Sequence, residues 1–182
     1  MIVTPRILAR IVAIVLVAVL LQLSFFSQVE LLRTSPDILP VVVVSLGLLG
    51  GSLTGAVAGF AVGLLVDSLL IEALGATALV LLSVGYLAGI YRERFDVTSS
   101  LVPPLLCMGL TLLAELSFAA VQLMLGVDAP ISALVIRDIL IKTIYAFFLG
   151  IPFYLGIRRL LRPALIEERA VRRRAQPTMI GA

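Results

Sequence analysis

Long apolar stretches alternate with short polar ones along the whole chain. Six apolar stretches predict helices, at residues 7–26, 38–50, 52–70, 76–91, 101–125 and 133–157. Most of them approach the ~20 residues that a helix needs to cross the hydrocarbon core of a bilayer. The second stretch has 13 residues and is short for a crossing. It must extend back through Pro36, lie in thinner or protein-lined surroundings, or re-enter on the same side.

The composition fits membrane-spanning helices and excludes a soluble domain. Of the 182 residues, 61% are hydrophobic and 14% are charged, and a soluble fold cannot bury so large an apolar surface. We therefore predict an all-α integral membrane protein with six transmembrane helices in residues 1–162. Residues 163–182 are predicted to form a basic, flexible cytoplasmic tail. The arginines from Arg158 to Arg162, with Arg169 and residues 172–174, favour general anchoring to anionic lipid over a specific lipid clamp or a docking site. No nucleic acid partner is indicated.

The positive charges indicate how the helices are oriented. Cytoplasmic flanks of membrane helices carry an excess of Lys and Arg. In a six-helix layout eleven of the fourteen basic residues fall on one side, and Arg33 is the only loop cation on the other. The eleven are Arg6, Arg10, Arg92, Arg94, Arg158, Arg159, Arg162, Arg169, Arg172, Arg173 and Arg174. Both termini are therefore predicted to be cytoplasmic.

Glycines recur at every fourth position where the third helix begins. In lipid, small residues at this spacing let two helix backbones approach closely, so we predict that they pack helices together. The row continues to Asp67, but it turns ~160° around a straight helix over sixteen residues. Asp67 is therefore expected to face a different neighbour from the first glycine. The predicted packing residues are Gly51, Gly55, Gly59 and Gly63, with Gly85 and Gly89 in the fourth helix.

Four charged residues, Asp67, Glu115, Asp138 and Lys142, lie deep within predicted helices, where a charge costs at least ~2.5 kcal/mol, and Arg137 lies within the last helix. Glu115 and Lys142 each lie ten residues from the outer end of their helix, ~15 Å at helical rise, and Asp138 is one turn from Lys142. We predict one charge cluster from these three residues and a second pair between Asp67 and Arg137. We favour pairs that fix how the helices dock, and the alternative is a path for protons or substrate.

The residues that most enzymes need are missing. The chain has no His and one Cys, and it lacks the motifs of zinc proteases, serine hydrolases and P-loop proteins. We therefore predict no catalytic, cofactor or metal site. The remaining catalytic arrangement is a carboxylate dyad of Asp67 with Glu115, and no spacing marks it.

Short motifs within residues 36–91 carry a resemblance to a known family. They are Pro36-Asp37-Ile38-Leu39-Pro40, then Gly55, Gly59, Phe60, Gly63 and Asp67, then Leu74-Gly75, and finally Val84-Gly85-Tyr86-Leu87. This pattern resembles the rod shape-determining protein MreD family. Outside it, the length, the helix count and the basic tail agree with the family. Residues 68–72 depart from the short, Ser/Gly-rich turn that is frequent there.

The resemblance implies a function and partners. It implies a non-enzymatic subunit of the bacterial inner membrane that binds an MreC-like scaffold protein. Through that scaffold it would reach an MreB-like filament and the glycosyltransferase and transpeptidase of cell-wall elongation, and so help organise peptidoglycan synthesis and cell shape. We expect Pro36, Asp37 and Asp67 to meet a partner near the periplasmic side. The family fold resembles the substrate-binding subunits of ECF-type vitamin transporters, so a small-molecule carrier is the alternative function.

Overall fold

Six α-helices and one π-helical segment make up the described part of the chain. The computed structural model describes residues 5–26, 36–70, 75–95, 102–124 and 133–175. The helices are α1 Pro5–Leu21, the π segment Gln22–Phe26, α2 Leu39–Gly50, α3 Ser52–Leu70, α4 Ala76–Arg94, α5 Val102–Met124 and α6 Ala133–Ala175. The prediction of six apolar helices is confirmed. Helix α6 continues into the basic segment, and the flexibility predicted for the tail stays a prediction.

Helix α2 lies at the centre of the bundle. Its residues from Leu39 to Leu49 are all buried, and it contacts each of the other five helices. A helix that is apolar on every side is stable only where other elements surround it. Its 12 residues measure ~18 Å, against ~30 Å of hydrocarbon. Protein-lined surroundings, rather than an extension through Pro36, therefore accommodate the short second helix.

The ends of α2 are fixed by residues suited to those positions. Pro40 lies in the first turn, where a missing backbone N–H breaks no helical hydrogen bond. Gly51 ends the helix with φ of 94° and ψ of 179°, a backbone conformation that is essentially restricted to glycine. The next residue, Ser52, begins α3. Helices α2 and α3 are thus joined by one glycine without a loop.

The other five helices expose large apolar side chains. The exposed fraction is at least 60% for Leu20 on α1, Leu53 on α3, Leu79 on α4, Leu105 on α5 and Phe148 on α6. Surface of this kind favours contact with lipid over contact with water. By length and composition three helical stretches can cross a membrane, Ser52–Leu69, Val102–Met124 and Val135–Leu160, while Ala9–Ser24 and Leu39–Gly50 are apolar but shorter.

Candidate functional site

Helices α3 and α4 are in backbone contact along a row of glycines, which we call the glycine face. A Cβ atom added to any glycine of this row would overlap backbone atoms of the opposite helix. Early residues of α3 meet late residues of α4, so the two helices run antiparallel. The facing positions are Gly55 with Gly85, Gly59 with Leu81, Gly63 with Ala78, and Ser52 with Gly89.

Helix α2 joins this contact through a glycine that the sequence analysis did not single out. A Cβ atom on Gly47 would lie 2.6 Å from the carbonyl oxygen of Gly85, and one on Gly55 would lie 2.8 Å from the Cα atom of Gly47. Three helices therefore meet at Gly47, Gly55 and Gly85. Gly47 lies four residues before Gly51, so the spacing rule applied one step further back would have found it.

The row from Gly51 to Asp67 follows one neighbour, α4, over its whole length. Gly51 lies against Gly89, and Oδ2 of Asp67 accepts hydrogen bonds from the N–H groups of Gly75 at 2.8 Å and Ala78 at 3.4 Å. The expectation that Asp67 faces a different neighbour from Gly51 is therefore wrong. That expectation assumed a neighbouring helix parallel to α3. Helices that pack along rows of every fourth residue cross at an angle, so one neighbour can contact the whole row as it winds around the helix.

Each helix of this pair supplies a carboxylate that caps the other. Asp67, near the end of α3, binds the N–H groups where α4 begins. Glu93, in the last turn of α4, accepts hydrogen bonds at Oε1 from the backbone N of Ser52 at 2.9 Å and from its Oγ at 2.7 Å. The first N–H groups of a helix lack partners within the helix and attract anions. The bonds from Ser52, the backbone bond first, hold the pKa of Glu93 below its ordinary value.

The structure does not bring Asp67 and Arg137 together. Asp67 is 1% exposed between α3 and α4, and its Oδ1 has no hydrogen-bond partner among the described residues. Arg137 is exposed on α6, whereas α3 packs on α1, α2 and α4. The predicted pair is therefore corrected to a helix cap. Burial also removes Asp67 from the surface on which we expected it to meet a partner.

Glu115 and Lys142 do lie together, across the contact between α5 and α6. Lys142 Nζ is 3.1 Å from both carboxylate oxygens of Glu115. The side chains are 12% exposed for Glu115 and 28% exposed for Lys142, so the pair is shielded but open at one edge. Asp138, one turn from Lys142, adds a negative charge that acts on Glu115. At membrane depth such a pair is far less costly than either charge alone.

Asp37 belongs to the same group of charges, which the sequence analysis did not foresee. Asp37 lies within electrostatic range of Lys142 and Glu115, and the direct ion pair between these described residues is that of Lys142 with Glu115. Asp37 is half-buried, and its Oδ1 accepts a hydrogen bond from the N–H of Leu39 at 3.0 Å. We call Asp37, Glu115, Asp138 and Lys142 the charge cluster. Asp37 and Glu115 share the charge of one lysine, so their combination carries excess negative charge when both are ionised.

Gln22 fixes the chain on both sides of Asp37. The N–H of Ile38 donates to Oε1 of Gln22 at 3.0 Å, and Nε2 of Gln22 donates to the carbonyl oxygen of Pro36 at 3.4 Å. Pro36 itself is buried. Gln22 begins the π segment, and such segments occur frequently at functional sites. The side chain of Asp37 is therefore presented from a backbone held by a neighbouring helix.

Small polar side chains continue inward from the charge cluster between α2 and α5. Thr111 lies one turn before Glu115, is fully buried, and has no hydrogen-bond partner for Oγ1 within the described ranges. One further turn inward, Cys107 faces Ser45 of α2. Across the part of the chain that the structure describes, no three His, Cys, Asp or Glu side chains are placed to hold a metal ion. The described polar side chains therefore pair charges and hold helix ends in place.

Comparison with known proteins assigns the chain to a family. The family described as rod shape-determining protein MreD matches residues 5–164. This chain belongs to the MreD family. The match covers the glycine face, both helix caps and the charge cluster, well beyond the residues that carried the sequence resemblance. Membership implies a membrane protein with a role in determining rod shape. No curated protein and no solved structure shows significant similarity to the chain.

Proposed function

We propose that this chain is a non-enzymatic, multi-pass subunit of the bacterial inner membrane that binds the scaffold protein MreC. Through MreC it would associate with an MreB-like filament and with the glycosyltransferase and transpeptidase of cell elongation, and so help organise peptidoglycan synthesis. The observation that carries this proposal is the family match over residues 5–164. In this proposal both termini are cytoplasmic and the fold is of the ECF substrate-binding type.

The charge cluster is the surface that we assign to the partner. Asp37 is half-buried, and the ion pair beside it keeps 28% of the Lys142 side chain exposed. When both carboxylates are ionised, the excess negative charge at this depth is unfavourable in lipid. A partner helix or juxtamembrane segment that brings a basic or hydrogen-bond-donating side chain would compensate it. Asp37 keeps the partner-contact role that we expected, whereas burial removes both Pro36 and Asp67 from that surface.

A small-molecule carrier is the weaker proposal. A site for a water-soluble vitamin needs convergent polar groups around a cavity. The cleft between α1 and α6 has a volume of about 730 Å³, and eleven of its thirteen lining residues are apolar or glycine, the other two being arginines. That lining suits hydrocarbon better than a polar ligand. A carrier would instead be expected to copurify with a transporter ATPase module.

Copurification of MreC with charge-cluster variants tests the assignment. Asn at position 37 keeps an oxygen for the Leu39 N–H and removes the charge, so Asp37→Asn should leave the fold intact. We expect this variant to lose MreC and to fail to restore rod shape. Glu93→Gln is the matched control, since it also neutralises a carboxylate that binds the first N–H of a helix, and it should retain MreC.

Each outcome has a separate meaning. If wild-type chain recovers no MreC and instead brings down a transporter ATPase, the proposed function is wrong. If wild-type chain recovers MreC and Asp37→Asn recovers as much, the function stands and the assigned surface is wrong. Membrane abundance of each variant, measured in the same preparation, separates lost binding from lost protein.

A further inference from the structure

An apolar cleft with two arginines at one end lies between α1 and α6. Its volume is about 730 Å³, within the roughly 300–1,000 Å³ of ordinary ligand sites. Small residues open the space, among them Ala13 and Gly156, and the side chain of Val42 from the central helix forms part of the wall. A Cβ atom added to Gly156 would meet nothing within 4 Å. The cleft is therefore a gap between helices that reaches α2.

The arginines give the cleft a polar end. Arg10 and Arg159 both line it and both are exposed. The Nη1 atom of Arg10 donates to the carbonyl oxygen of Leu160 at 3.4 Å, which joins α1 to α6 at this end. Neither arginine forms an ion pair with a carboxylate whose side chain the structure describes. Two guanidinium groups thus lie at the end of an apolar cleft without a carboxylate partner among the described side chains.

The dimensions match one leaflet of a bilayer. From Arg10 to Leu21 the cleft follows twelve residues of α1, ~17 Å at helical rise, and half of the hydrocarbon core is ~15 Å. The arginine end coincides with the basic ends of the helices, which positive-inside distribution assigns to the cytoplasm. An occupant with an anionic head at this surface and a hydrocarbon chain beneath it would satisfy both ends of the cleft.

We propose that this cleft binds an anionic phospholipid of the cytoplasmic leaflet, with an acyl chain between α1 and α6 and the phosphate at Arg10 and Arg159. Guanidinium groups bind phosphate oxygens through paired, charge-assisted hydrogen bonds. A partner's transmembrane helix is a poorer occupant. Its diameter is ~10 Å, whereas about 730 Å³ spread over ~17 Å of helix gives a mean width of ~7 Å. Its apolar surface also supplies no anion to the arginines. The site would make the contact of α1 with α6 depend on lipid composition.

Lipid retention by the purified full chain tests the proposal. After delipidation in detergent, native mass spectrometry counts bound phosphatidylglycerol and phosphatidylcholine of identical acyl chains. We expect retention of phosphatidylglycerol in preference to phosphatidylcholine. The double variant Arg10→Gln/Arg159→Gln should bind phosphatidylglycerol roughly thirtyfold more weakly, since two cations are lost. Arg92→Gln/Arg94→Gln, which removes two exposed arginines of α4, is the control and should bind as wild type does.

A second pair of variants tests the cleft itself. Gly156→Leu fills it and should abolish phosphatidylglycerol retention, whereas Gly109→Leu is the control, because Gly109 is exposed on α5 and its added Cβ also meets nothing within 4 Å. Equal retention of the two lipids would overturn the proposal, as would equal loss in both arginine pairs. Unchanged binding by Gly156→Leu, or a copurifying peptide in the cleft instead of lipid, would overturn it too.

Discussion

The contact among α2, α3 and α4 predicts opposite effects for two Gly→Ala substitutions. Alanine inside a helix is favoured over glycine by ~1 kcal/mol. Gly109→Ala should show this gain, since its methyl group meets nothing within 4 Å. In Gly55→Ala the methyl group would overlap the carbonyl oxygen of Gly85 and crowd the Cα atom of Gly47. Overpacking of this kind costs ~1–3 kcal/mol. We expect a cost toward the upper end of this range for Gly55→Ala, because the atoms that the methyl group would meet belong to the backbone and cannot rotate away.

The two variants should therefore differ in free energy of unfolding by about the overpacking cost, ~1–3 kcal/mol, with Gly55→Ala the less stable. Cys107 provides the assay, because it is the only cysteine in the chain and is fully buried. Its labelling by a maleimide across a denaturant series in micelles reports unfolding directly. Equal stability of the two variants would refute the claim that Gly55 lies in backbone contact.

Two further predictions concern the reciprocal helix caps. Asp67→Ala leaves the N–H groups of Gly75 and Ala78 without their acceptor and should lower the free energy of unfolding by ~0.5–2 kcal/mol. Ser68→Ala, which changes an exposed neighbouring residue, is the control and should change the free energy of unfolding by less than ~0.5 kcal/mol. Equal effects of the two substitutions would argue against the cap. The pKa of Glu93 is lowered in the fold from its ordinary value of 4.5, so its contribution is present above that value and is lost as pH falls through the lowered pKa. Unfolding of the wild type should become easier in this acidic window relative to Glu93→Gln, and parallel pH profiles for the two would contradict the prediction.

The helices could be predicted from the sequence because the cause of each is local. An apolar stretch such as residues 52–70 must form its backbone hydrogen bonds internally once it lies in lipid, and a helix does so. The four-residue glycine spacing predicted close packing for the same local reason. The partner of the glycines was not predictable in this way. The glycine spacing on α3 shows which row of the helix can pack closely, but it does not show at what angle the neighbouring helix crosses that row.

The position of Asp37 shows what length and charge could have indicated. Helix α2 measures ~18 Å, so if its last residue lies at the cytoplasmic face, as the charge distribution predicts, its first residue stops ~12 Å short of the opposite face of a ~30 Å hydrocarbon core. That shortfall of ~12 Å is close to the ~15 Å depth predicted for Glu115 and Lys142. Comparing the two depths would have suggested that Asp37 joins their cluster. Which side of α2 faces α5 and α6 still required the folded chain.

Asp37 and Asp67 each accept a hydrogen bond from an N–H group at the start of a helix, but they differ in exposure and in the charges near them. Asp67 is 1% exposed and binds the start of α4, so its charge is used within the α3–α4 pair. Asp37 is half-buried and binds the start of its own helix, α2, and in the function that we propose its exposed part contacts a partner. Neutralising Asp67 should weaken a helix pair that the glycine face also holds, and neutralising Asp37 should change what the chain binds. A carboxylate within a membrane protein can therefore indicate a partner only where its hydrogen bonds to the chain's own helix ends leave part of it exposed.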